Sequence, residues 1–474
     1  MKWVILFLSS LSTTGCIASS IMADVRQVHE LTRIESLPRI AEVNIDPVAD
    51  EDARQLLKQP LDAETAVRVA LANNRELRAV LRGMGIERGH MIQEGLLPNP
   101  TVEGEILPER NTLLELRVEY NITSAIMAPI RARAARSDLE AARYRAAGSV
   151  VDLGYRVRIA FYRLQSAEQR LAIAQQVLDG FAASRDAARA MFGAGNIAVL
   201  DLVSEEAAYE KARITVAQIE LDIITEREQV QRLLGTHGED TNWRIKNELS
   251  AVSEQPTIPE NTETRALEAS LDLMEAKHRL EGLARRAGVT RVAGWLPDIT
   301  IDFHSLQGNP EEDTNASNLN RNWRFGGGLT VGIPLFDRKQ GTLVAVEAEF
   351  DALMESYYGM AVDLRSAVRE ARSRVASSHA RAHQYQEVIV PAQRRVTEQT
   401  LLQYNAMQIG IFHLLQARRE QLDVQLAYVE TLREYWSAVA ELDALLAGGH
   451  VSSPHTRASR NITQDTKNES SRGH

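Results

Sequence analysis

The chain is short of several things, and each shortage removes a class of protein. It has one cysteine in 474 residues, Cys16. That excludes an internal disulfide, Cys-rich zinc sites and iron–sulfur clusters. Aromatic residues are 5% and prolines number 14, a poor supply for a β-sandwich and a good one for long helices rich in Ala, Leu, Arg and Glu. Lys and Arg total 54 against 64 Asp and Glu, a formal charge of -10. A nucleic-acid partner would call for the opposite balance, so none is expected. No later stretch holds 18 uncharged apolar residues, so a membrane would have to be crossed by β-strands or reached by lipid. There is no Gly-x-Ser-x-Gly, no His-Glu-x-x-His and no phosphate-binding loop, so no enzyme and no cofactor are expected.

What is present starts at the N-terminus. Lys2 precedes the apolar run Trp3–Leu8, followed by Ser12-Thr-Thr-Gly15 and Cys16. Basic, apolar and small segments in that order make a secretory signal, too short to span a bilayer. The segment resembles a lipoprotein signal in which Cys16 is lipidated, with Thr13 standing where Leu is usual. An ordinary cleaved signal with an incidental cysteine is the alternative.

The chain is also duplicated. Leu96-Leu97-Pro98-Asn99 opens a strand-like run, Thr101 to Ile106, and Trp295-Leu296-Pro297-Asp298 opens another, Ile299 to Leu306; the two prolines are 199 residues apart. Second runs follow at Leu114 to Thr123 and Phe325 to Ile333. Each pair is followed by a very long helical stretch, a break, and another helix. Val157, Leu164, Leu171 and Leu178 fall at heptad spacing, with Ala160, Ala167, Ala174 and Phe181 three residues on. In the second copy Met354, Ala361, Val368, Val375, Ala382, Ile389 and Val396 keep that spacing. Leu202, Tyr209, Val216, Ile223 and Val230 continue it after the first break; Leu415, Leu422, Val429 and Trp436 do so after the second. A helix from about 124 to 191 would be about 100 Å long, so the helices are expected to pair as antiparallel rods. Pro391 is expected to kink the second one. The breaks Phe192–Gly195 and Tyr404–Met407 would be hairpin turns, and their offset of 212 places most of 13 extra residues near the loop Gln307 to Arg324.

Four strands of about ten residues cannot close a barrel alone. Either several chains contribute to one barrel, or the strands form a small soluble sheet capping the helices. The expected organisation is a signal at 1–16 ending at Cys16, an N-terminal extended segment at 17–60, a first repeat at 61–236, a linker at 237–261, a second repeat at 262–447 and a disordered tail at 448–474.

At Gly-Leu-Leu-Pro-Asn-Pro (95–100) and Gly327-Gly-Leu-Thr-Val-Gly-Ile-Pro-Leu-Phe-Asp337 the sequence resembles the TolC-type outer-membrane efflux proteins, over about residues 55 to 447. Tyr404 to Leu415 and Glu434-Tyr-Trp436 are similar to the heavy-metal branch, which serves cobalt–zinc–cadmium or copper/silver exporters. The resemblance implies a mainly α fold with a small β part. Long antiparallel coiled-coil helices would form a periplasmic tunnel, and four strands per chain would enter a twelve-stranded transmembrane barrel of a homotrimer. It implies a periplasmic adaptor, an inner-membrane proton-driven pump and outer-membrane lipid as partners, with the chain a passive, lipid-anchored conduit. The first copy departs from the pattern, having Tyr120-Asn-Ile-Thr-Ser124 in place of Pro-Leu-Phe-Asp.

For the aperture, the resemblance singles out the turn positions Gly195 and Met407, then Asp201 six residues after the first turn. His413 holds the second Asp place, and Gln416 stands where a further carboxylate occurs. His413 would make such a ring less acidic and titratable near neutral pH; the alternative is a solvated histidine. His379 and His383 lie four apart on one helical face and match the spacing of a divalent-metal pair, against an ordinary exposed face. Arg131, Arg133 and Arg136 would meet lipid headgroups or solvent. The functional expectation is an efflux channel for heavy-metal cations. Organic solutes are the rival cargo, and a lipid-anchored coiled-coil scaffold without a pore is the rival class.

Overall fold

The computed structural model describes residues 24–28, 30–32, 49–107, 113–246, 248–256, 258–307 and 323–449. The signal segment with Cys16, both loops joining strands, and the tail beyond Gly449 lie outside the described residues. In chain order the helices are α1 (Ala49–Leu57), α2 (Ala63–Asn73) and α3 (Arg75–Gly95). Then come strands β1 (Thr101–Leu107) and β2 (Leu113–Asn121) and helices α4 (Ile122–Gly193) and α5 (Val199–Leu234). The second half repeats the order with α6 (Thr262–Ala269), α7 (Leu271–Ala293), β3 (Asp298–Gln307), β4 (Trp323–Gly332), α8 (Gln340–Gln384), a π-helical turn (Tyr385–Ile389), α9 (Val390–Asn405) and α10 (Ile411–Leu446). Helix α1 lies inside the segment expected to be extended. No helix among the described residues is long and apolar enough to cross a membrane.

The described residues fall into two compact units that cut across the two copies. One takes segments 1–81, 145–272 and 360–474, the other 82–144 and 273–359. In the first unit the heptad seam is the core. Val157, Leu164 and Ala160 are buried, and Ala174 packs with Val216, Ile219, Leu171, Leu178 and Ile223. Burying a Leu or Val side chain stabilises by about 1.5–3 kcal/mol, and the seam repeats that gain along the helices.

The second copy follows its heptads only part of the way. Val368, Val375 and Ala382 are buried, but Val396 is 48% exposed and Thr397 takes its place inside. The cause is the π-helical turn at Tyr385–Ile389. A π turn carries one extra residue, so the seam steps by one position beyond it. Pro391, expected to kink the helix, lies two residues past the π turn, in helical backbone that continues from it.

The linker between copies is pinned in the same unit. Trp243 O accepts from Arg227, whose guanidinium lies 4.2 Å from the Trp243 ring centre. Lys246 O accepts from Gln165 at 2.6 Å, and Ser250 O from Trp436 at 2.8 Å. Val252 N donates to Gln386 Oε1, inside the π turn, at 3.2 Å.

Candidate functional site: an open sheet and two hairpin turns

In the second unit the four strands form one antiparallel sheet in the order β1-β2-β3-β4, so β1 and β4 are its edges. Pairing runs Val102↔Val118, Val118↔Phe303 and Phe303↔Gly327 on one face. Because side chains alternate in a strand, that face also carries Ile301, Leu329, Val331 and Phe325. They are exposed: Phe325 69%, Val102 66% and Leu329 65%. Phe303 and Phe325 stack at 6.1 Å. A contiguous apolar face of this kind, left open to its surroundings, marks a membrane or protein contact.

The opposite face is polar and acidic. Glu103, Glu105, Glu115, Glu119, Asp298 and Asp302 share it with Arg117 and His304. Arg117 pairs with Glu115 at 3.1 Å, and Asp302 Oδ2 lies 3.2 Å from His304 Nδ1. Gly326 and Gly328 make room for this pair, since a Cβ at either would strike the His304 ring or the Asp302 carboxyl. At the end of β2, Asn121 donates to Asp298 at 2.7 Å and Thr123 to Pro297 O at 2.8 Å, tying the two copies of the strand-to-helix junction together. Of the three arginines opening α4, Arg131 pairs with Glu94 at 3.2 Å, and the Arg133 carbonyl accepts from Arg285.

The two hairpin turns lie in the first unit, where the breaks were expected. The first turns through Gly195 at φ 73° and the second through Met407 at φ 57°. The left-handed region is free to glycine and strained for methionine. Asp201 Oδ2 accepts from Ala198 N at 3.3 Å, so this carboxylate caps α5. Gly410 begins α10 with no side-chain cap. His413 is exposed, its N–H bonded to Gly410 O at 3.1 Å, and Gln416 donates to Glu420 at 3.0 Å. Met407 is 93% exposed, Leu200 73% and Val199 59%, so both turns present apolar side chains.

A cluster that sequence reading missed lies behind the turns. Arg419 donates to Glu205 at 2.7 Å and lies 3.9 Å from the Phe181 ring centre. Ser184 donates to the same Glu205 oxygen. Three helices, α4, α5 and α10, meet there. A cavity of about 300 Å³ beside it is lined by Val177, Gly180, Phe181, Leu415 and Leu422. Phe181 belonged to a heptad, but nothing local joins it to Arg419.

His379 and His383 stack at 6.0 Å, yet His379 is buried, not on an open face. Its Nε2 donates to Ser253 O at 2.8 Å, and Tyr435 meets it edge-on at 5.5 Å. Among the described residues no group of three His, Cys, Asp or Glu is placed to hold a metal ion.

The family model "Outer membrane efflux protein" matches residues 114–236 and 264–448. The cobalt-zinc-cadmium resistance protein CzcC of Cupriavidus metallidurans is 23% identical over 389 residues, 82% of this chain and 90% of that one. The crystal structure of CusC is similar with a TM-score of 0.66 and 19% identity, over 82% of this chain and 92% of that one. The Campylobacter jejuni CmeC outer membrane channel is similar with a TM-score of 0.67 and 16% identity, covering 93% of this chain and 95% of that one.

Proposed function

Because the chain belongs to the outer membrane efflux protein family, we propose that it is the outer-membrane channel subunit of a tripartite efflux system, conducting heavy-metal cations passively. The observation that carries the reading is the sheet: four strands, two open edges, one apolar exposed face and one acidic face. Open edges must be paired or covered, and four strands close no barrel. Three copies would give twelve strands, with the apolar face in lipid and the carboxylates lining the lumen. Helix α5 supports the same assembly. Leu200, Val203, Ile214, Leu221 and Ile224 are exposed at three- and four-residue multiples, a second stripe for a neighbouring copy.

The inner face favours cations, and the likeness to a cobalt-zinc-cadmium resistance protein favours metals among them. The channel supplies no energy; an inner-membrane proton-driven pump does, and a periplasmic adaptor connects the two. The turns around Gly195, Asp201, Met407, His413 and Gln416 form the end that adaptor and aperture share. Cys16 lipidation adds a second hold on the outer membrane. His379, bonded to Ser253 O, holds the linker in this reading, with His383 stacked beside it.

Detergent extraction, mass measurement and single-channel recording test the reading. A trimer with cation-selective conductance is expected, and a monomer without conductance would leave the scaffold. A deletion strain sensitised to metals, not to organic compounds, is the expected cargo result.

A further inference from the structure

The acidic face of the sheet carries a cation among its carboxylates. We propose that Arg117 is a specificity-determining residue of the conduit: it stands as a fixed positive charge there, so that a divalent metal ion crosses the barrel without being held in it. The proposal rests on the channel reading, in which this face lines the lumen. It adds what keeps the lumen from becoming a binding site.

The register supplies the arrangement. Arg117 faces Glu103 on β1 and His304 on β3. Side chains two residues apart on a strand share a face, so Glu115 and Glu119 flank Arg117 on β2. The guanidinium reaches their carboxylates at 3.1 and 3.8 Å. The neighbouring strands set Glu105 directly opposite Glu115, and Asp302 directly opposite Glu119. Like charges that face one another across strands destabilise a sheet. Two such pairs stand here, one on either side of Arg117 along β2. Beyond His304 and Asp302, β4 adds no side chain, only Gly326 and Gly328. The cluster is therefore bordered by bare backbone. Arg117 stays 43% exposed, so its charge acts on what passes as well as on its neighbours.

The surrounding donors show what that charge opposes. Five carboxylates (Glu103, Glu105, Glu115, Glu119 and Asp302) and the His304 imidazole lie opposite Arg117 or one same-face step away. Oxygen and imidazole nitrogen donors in that mixture suit divalent transition metals. Yet among the described residues no three such groups are placed to hold a metal ion. Glu115 and Glu119 are engaged by the guanidinium, and Asp302 Oδ2 lies 3.2 Å from His304 Nδ1. Conduction requires binding favourable enough for entry and weak enough for exit. Five carboxylates against one guanidinium leave the face negative, so cations are still drawn in. The guanidinium occupies the place where one of them would otherwise stop.

Block of potassium current by Cd²⁺, with the full-length, detergent-extracted protein in planar bilayers, tests this. The wild-type current should persist at about 1 mM Cd²⁺. Arg117→Gln and Arg117→Met each keep a stem and drop the charge. Either should be blocked at a concentration at least about tenfold lower, the effect of removing a unit charge a few ångströms from a divalent ion. Arg117→Lys keeps the charge and should stay close to wild type. Arg117→Gln combined with Glu119→Gln and Asp302→Asn should lose the added block, a reversal that a purely structural arginine does not produce. Wild-type block at micromolar Cd²⁺ would overturn the proposal, whether or not the variants assemble. So would a conducting charge-free variant as resistant as wild type, or a lysine variant as sensitive as the glutamine one. Added block that persists in the triple variant would overturn the part given to these carboxylates. A wild-type protein that forms no conducting trimer would overturn the channel reading itself.

Discussion

At the first hairpin turn the chain reverses through a glycine and enters α5 under the cap of Asp201; at the second it reverses through Met407 and enters α10 from an uncapped Gly410. Before the first turn α4 runs 72 residues without interruption, carrying Pro129 inside it. Before the second, the helix is interrupted by the π turn at Tyr385–Ile389. The two copies share one plan, and the second holds the strained and irregular solutions. An architecture set by seam packing tolerates local irregularity as long as the seam is re-registered.

Four measurements of stability in detergent bear on that contrast. Deleting Gln175 from α4 should misphase every seam residue beyond it, costing more than about 3 kcal/mol. Deleting Glu387 from the π turn removes only the extra residue and should cost about 1 kcal/mol or less; equal losses in denaturant midpoints would refute the register shift. Next, Leu164→Ala empties a fully buried position and should cost about 2–5 kcal/mol. Met354→Ala, at a half-buried position of the second copy, should cost about 1 kcal/mol.

A smaller effect separates the turns themselves. Met407→Gly should gain up to about 1 kcal/mol by relieving its positive φ, and Gly195→Ala should lose about 1 kcal/mol, read as opposite shifts in Tm. Opposite signs are the point, since a change of the same sign in both would mean φ is not what distinguishes them.

The smallest contrast is between caps. Burial pushes the Asp62 carboxyl up, but hydrogen bonds from the Thr65 amide and hydroxyl, with Lys246 beside it, outweigh that and hold it at about 2. A depressed carboxyl stabilises above its unfolded pKa and loses that as pH falls through its folded one. Asp62→Asn should therefore cost about 1 kcal/mol at neutral pH, and the difference should vanish as pH falls from about 4 to about 2. Asp201→Asn, at an exposed turn, should cost a few tenths of a kcal/mol.

Much of this was readable beforehand because it is periodic. The repeated strand-like runs located all four strands, and heptads located the seam as far as Ala382. The reading failed at Val396 because no local pattern announces a π turn. It failed at His379 because the burial there comes from Ser253 and its neighbours, 126 residues away in sequence. Asp201 was singled out by resemblance; its role as a cap was visible only in the backbone around Ala198. The Arg419–Glu205–Ser184 cluster joins three helices, and no spacing within any one of them points to it.

The sequence alone determined the duplication, the kinds of element, their lengths and the faces they present, because periodicity and residue type act over a few residues. Only the tertiary structure decided where the seam slips, what the linker rests on, and which strands are left as edges. Those outcomes depend on contacts between distant segments, and each is settled by the packing of all the others.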